Sequence, residues 1–129
     1  MTDTLSDFEL VELVRNENSR VAFNEIVKRN KSRIAYTVYG FLGNCDDSED
    51  IGQEVFLRFL NNIKNFNGQL SLGNYLVKIA VNLSLNELRR RKIRKLFSFL
   101  VNISFNTIFL NSSKLTSFSK FKFSLVLFN

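Results

Sequence analysis

The 129-residue chain has no histidine, no proline and no tryptophan, one cysteine and only five glycines. Without histidine there is no Ser-His-Asp triad, no Cys-His pair and no imidazole metal site. Cys45 has no second thiol with which to form a disulfide, and too few soft ligands accompany it to hold zinc. No Gly-rich loop runs into Lys-Ser/Thr, which excludes a Walker-type phosphate loop. No catalytic residue, metal ligand or cofactor is therefore expected. Carboxylates alone could form an acid–base pair, but here they fall in short runs that look like helix starts. An enzyme is the least supported class. Met1 to Glu17 carries five acidic residues and no long apolar core, so no secretory signal is read and a cytoplasmic location is expected.

Acidic residues are nearly missing from one half. Residues 71–129 hold ten Lys/Arg against one acid, Glu87, whereas residues 1–70 hold eight Lys/Arg against eleven acids. An acidic front and a basic back suggest two different partners, the basic half suiting a polyanion.

The absence of proline leaves long helices possible, and the apolar pattern supplies four. Ser6 and Glu9 have capping-box spacing ahead of Leu10, Val11, Leu13 and Val14. Asn16 to Ser19 is a polar break. Ala22, Phe23, Ile26, Val27, Ile34, Val38 and Leu42 follow a 3.6-residue period, and Gly43-Asn44 is a stop signal through the left-handed conformation. The third helix opens at Asp46-Asp47-Ser48, whose side chains are expected to cap it, and continues to Ile63. Asn65 to Gly73 reads as a loop. Leu72, Tyr75, Leu76, Ile79, Ala80 and Leu83 give the fourth helix a buried stripe, with its end placed near Lys95. The expected fold is all-α, a compact bundle of about four helices over residues 1–95 with an irregular C-terminal tail.

Residues 96–129 hold eight of the fourteen phenylalanines and no acid, glycine or alanine. Three readings stay open: a non-native stretch from a frameshift, an irregular tail packed on the bundle, or a membrane anchor over Leu96 to Leu110, which is short for a span.

Three constellations carry function. Asp50, Gln53, Glu54, Leu57 and Leu60 recur at steps of three and four and share one helix face. That layout suits docking on a helix offering Arg or Lys, or else a solvated helix start followed by core. Lys78, Asn82, Asn86 and Arg90 follow at i+4, and six basic residues lie between Arg89 and Lys95. Lys and Arg contact phosphates while Asn pairs with base edges. The loop Phe66 to Tyr75, with Asn67, Gln69 and Asn74, combines amides, glycine and an aromatic ring able to hold an unstacked base, or is an ordinary helix connection.

Taken in order, Phe8 to Arg15, Ala22 to Val27, Leu42-Gly43-Asn44, Asp50 to Arg58, Phe66-Asn67-Gly68 and Lys78 to Arg90 resemble region 2 of the sigma-70 family, closest to its extracytoplasmic-function group. The resemblance covers about residues 6–95. It implies that Asp50, Gln53 and Glu54, with Leu57 and Leu60, dock on the clamp helices of the largest subunit of core RNA polymerase. It implies that the loop from Phe66 to Asn74 captures a flipped base of the promoter −10 non-template strand. Lys78, Asn82 and Asn86 then match the helix that reads and separates the strands, while the basic run itself, and not the resemblance, suggests Arg89 and Arg90 as phosphate contacts. An anti-sigma factor is left open as a partner, and a membrane is not expected. Leu72 and Tyr75 depart from the family's usual aromatic and tryptophan. Nothing in residues 96–129 resembles the −35-binding domain, so the resemblance implies a truncated member. The competing functions are a helical regulator that occupies the polymerase clamp without binding DNA, and a membrane-tethered regulator.

Overall fold

A computed structural model describes residues 2–110. Among these residues there are four α-helices: α1 (Asp7–Glu17), α2 (Arg20–Leu42), α3 (Asp46–Asn61) and α4 (Leu72–Leu110), with short 3-10 turns at Thr2–Thr4 and Ile63–Asn65. No strand occurs among them. The chain divides into two compact units, Met1–Leu88 and Arg89–Asn129.

The ends of α1 and α2 follow local chemistry. The Ser6 hydroxyl accepts from the Glu9 N–H at 3.3 Å, and the Glu9 carboxylate accepts from the Ser6 N–H at 2.8 Å. This reciprocal cap satisfies two otherwise unpaired donors and is worth about 1 kcal/mol. Asn18 ends α1 in the left-handed region, at φ 51° and ψ 35°. One residue on, the Ser19 hydroxyl accepts from the Ala22 N–H and starts α2. Gly43 ends α2 at φ 77° and ψ 178°. The sequence expectation of a left-handed stop is thus refined: this conformation is open essentially to glycine alone.

The start of α3 corrects another expectation. Its N-cap is Cys45, which makes no side-chain capping bond. Ser48 instead turns inward, and its hydroxyl donates to the Gly43 carbonyl. The acidic first turn, Asp46, Asp47 and Glu49, still suits the positive end of the helix dipole.

In the first unit the core gathers Leu10, Val11 and Val14 of α1, Ala22, Ile26, Ile34 and Val38 of α2, Ile51, Val55, Phe56 and Phe59 of α3, and Leu72, Leu76, Ala80 and Leu83 of α4. Each such large side chain contributes about 1.5–3 kcal/mol by leaving water. Phe59, Phe66 and Tyr75 meet edge to face, with ring centroids 5.0–6.1 Å apart, an arrangement the ring quadrupoles favour. Gly73 lies where α2 approaches closely: a Cβ there would fall on the Arg33 guanidinium.

The fourth helix does not stop near Lys95. It continues through Leu110, so residues 96–110 of the expected irregular tail are helical. No proline or glycine follows Gly73 to break it. In the second unit Leu96, Phe97, Phe99, Ile103 and Phe105 are exposed. The membrane-anchor reading finds no support, because no helix among the described residues is long and apolar enough to cross a membrane. The rest of the tail, residues 111–129, lies outside the described residues.

Candidate functional site

The acidic face of α3 is built by its period. Ile51, Val55, Phe56 and Phe59 turn inward, which leaves Asp50, Gln53, Glu54, Leu57 and Leu60 exposed on the other side. Leu57 is 57% exposed and Leu60 36%. The core that follows the solvated start is made by Ile51, Val55, Phe56 and Phe59, and these two leucines lie outside it. Glu54 accepts from Arg58 at 3.2 Å, an exposed pair of little energetic weight. Two cavities border the face. Gln53 lines one of about 280 Å³ with Val27, Lys31, Tyr39 and Phe56. Leu60 lines another of about 490 Å³ with Val14, Arg20, Phe23 and Asn24. The face therefore offers carboxylates, an amide, exposed leucines and two recesses to a partner.

The loop after α3 is tied at both ends. Phe66 is buried, its ring edge-on to Phe59 and Tyr75. Its place among the expected DNA-contacting residues is corrected here: the ring belongs to the core and is not presented to a base. Spacing held the clue, because Phe66 extends the apolar series Phe56, Phe59 and Ile63. Leu72 is buried as well. Between these anchors, residues 67–71 are exposed. The Asn67 side-chain oxygen accepts from the Gln69 N–H at 3.1 Å, a local turn helped by Gly68 at φ 74°. The Ser71 hydroxyl accepts from the Asn74 N–H at 3.3 Å and starts α4. Asn67, Gln69 and Asn74 all present side-chain amides to solvent.

Sequence reasoning missed what holds this loop. Arg15 on α1 donates to the carbonyls of Ile63 at 3.0 Å and Phe66 at 2.6 Å, and pairs with Glu12. The contact is 51 residues distant in sequence, and no local pattern announces it.

On α4 of the first unit, Lys78, Asn82 and Asn86 are exposed at i+4 steps, while Leu76, Ala80 and Leu83 face the core. In the second unit Arg89, Arg90, Lys92, Arg94 and Lys95 are exposed. Among the described residues no group of three or more His, Cys, Asp or Glu is placed to hold a metal ion.

Comparison with known proteins adds to this geometry. The family model described as Sigma-70 region 2 matches residues 26–94, which include both surfaces. The ECF RNA polymerase sigma factor SigW of Bacillus subtilis is 38% identical over 71 residues, covering 55% of this chain and 38% of that protein. The ECF RNA polymerase sigma-E factor of Haemophilus influenzae is 32% identical over 88 residues, 68% of this chain and 46% of its own. The RNA polymerase sigma-H factor of Pseudomonas aeruginosa is 29% identical over 85 residues, 66% and 44% respectively. The chain spans less than half the length of these curated relatives. No solved structure gives a significant match. An all-α bundle with this face, loop and ridge, matched over residues 26–94, places the chain in the sigma-70 region 2 family, in its extracytoplasmic-function group.

Proposed function

We propose that this chain binds core RNA polymerase through the exposed face of α3 and opens promoter DNA at the −10 element. The observation that carries this reading is the exposure of Leu57 and Leu60 on the same face as Asp50, Gln53 and Glu54. Such a face supplies charge to steer a basic clamp helix and apolar area to hold it. Asn67, Gln69 and Asn74 would hold an unstacked base, and Lys78, Asn82 and Asn86 would line the separated strand. Arg89 and Arg90 would add phosphate contacts. Unstacking costs a few kcal/mol, which these contacts offset.

Titration of core polymerase tests the first half. Asp50→Lys and Leu57→Ala should each weaken binding roughly tenfold, as central interface residues do, without lowering stability. Unchanged affinity in both variants removes the docking reading. Titrating a −10 non-template oligonucleotide into the polymerase-bound chain tests the second half, with Asn82→Ala expected to weaken it. Polymerase binding with no strand binding points instead to a regulator that occupies the clamp.

A further inference from the structure

Arg33 and Tyr36 lie one turn apart on α2, Arg33 flanking the buried stripe of Ile34 and Val38 and Tyr36 facing away from it. Tyr36 is 83% exposed, more than any other large hydrophobic side chain described.

Helix α2 carries five cations: Arg20, Lys28, Arg29, Lys31 and Arg33. Lys28 and Arg29 are neutralised: Lys28 pairs with Asp3 and Glu25, and Arg29 with Glu25 and Asp7. Arg29 also donates to the carbonyls of Thr2, Asp3 and Leu5. The Arg33 guanidinium has no hydrogen bond or ion pair among the described residues. It rests against Gly73, its Cζ within 3.6 Å of where a Cβ would stand. Gly73 directly precedes Asn74, the exposed amide in the first turn of α4 that follows the loop.

We propose that Arg33 and Tyr36 form a second nucleotide subsite, taking the nucleotide that flanks the base held by the loop in the same single strand. Arg33 contacts the connecting phosphate, and Tyr36 stacks on the flanking base. An unpaired guanidinium beside an exposed ring is the pairing that single-strand grooves use, because every base has a face to stack and every nucleotide a phosphate. The subsite is continuous with the loop through the Arg33–Gly73 approach, so one strand can reach both. This inference rests on the strand-capture reading above.

The test uses the chain bound to core polymerase and fluorescent −10 non-template oligonucleotides of two lengths, ending at the captured base or running several nucleotides past it on both sides. Tyr36→Ala should weaken the long oligonucleotide roughly tenfold and leave the short one unchanged. Tyr36→Phe should retain the affinity, since stacking needs the ring and not the hydroxyl. Arg33→Gln should lower the slope of log affinity against log salt by about 0.7, the value for one phosphate on a single strand. If wild type binds both lengths and the variants match it on the long one, the subsite is overturned while strand capture stands. If wild type binds neither, both fall. If Tyr36→Ala weakens polymerase binding instead, the ring is a protein contact and the proposal is overturned.

Discussion

Arg15 donates a 2.6 Å hydrogen bond to the backbone carbonyl of Phe66 and thereby fastens the end of the candidate base-capturing loop to α1. The same guanidinium reaches the Ile63 carbonyl at 3.0 Å. Arg15→Met should cost roughly 2 kcal/mol, since these carbonyls lose a charged donor in a half-buried place. Arg15→Lys should recover little, because an ammonium cannot span both carbonyls as a planar fork does. Urea midpoints measure the loss. Amide exchange at Gln69 should quicken in both variants, and a loop as protected as in wild type would argue against the clamp.

Gly43→Ala should destabilise the chain by about 1–3 kcal/mol, because a φ of 77° with ψ of 178° is strained for any residue with a Cβ. The surroundings are open, so the cost is conformational and not a clash. Gly40→Ala, helical and equally open, should stabilise by up to about 1 kcal/mol. Thermal midpoints that move the same way in both variants would contradict this account.

Ser84 is fully buried on α4 and its hydroxyl has no hydrogen-bond partner among the described residues. Burying an unpaired hydroxyl costs free energy that an apolar side chain of similar size does not. Ser84→Ala should therefore raise stability by roughly 1 kcal/mol. A fall in the urea midpoint would show that the hydroxyl is satisfied.

Acid should loosen the N-terminus first. The backbone hydrogen bond from Ser6 holds the Glu9 carboxyl below its ordinary range, and the hydrogen bond from Lys28 does the same for Asp3. Both groups bind protons more weakly folded than unfolded. Their contribution is present above the ordinary carboxylate value and is lost as pH falls below it, through each folded value. Glu9→Gln keeps a side-chain oxygen for the cap and removes the titration. Its helicity between pH 5 and 2 should fall less than that of wild type, as read by circular dichroism at 222 nm.

Most of the bundle was legible because its signals are local. The Ser6–Glu9 cap, the Asn16–Ser19 break and the stop at Gly43 each need only a few neighbouring residues. The exposed set on α3 was legible because helical spacing fixes which residues share a face. The length of α4 was not, because a change of composition after Lys95 resembles a boundary while nothing there breaks a helix. Phe66 was misread because glycine and asparagine beside an aromatic look like a solvent-facing loop, whereas its ring fills a space made by Phe59 and Tyr75. Arg15 and Arg33 act on carbonyls or backbone far away in sequence, where one-dimensional patterns carry no information.

The spacing of Lys78, Asn82 and Asn86 makes α4 a ruler. Each step of four residues advances about 6 Å along the helix, whereas a stacked strand advances about 3.4 Å per nucleotide. On the proposed reading, that step nearly matches two stacked nucleotides, so Lys78, Asn82 and Asn86 would meet every second nucleotide of a strand that keeps its stacked length.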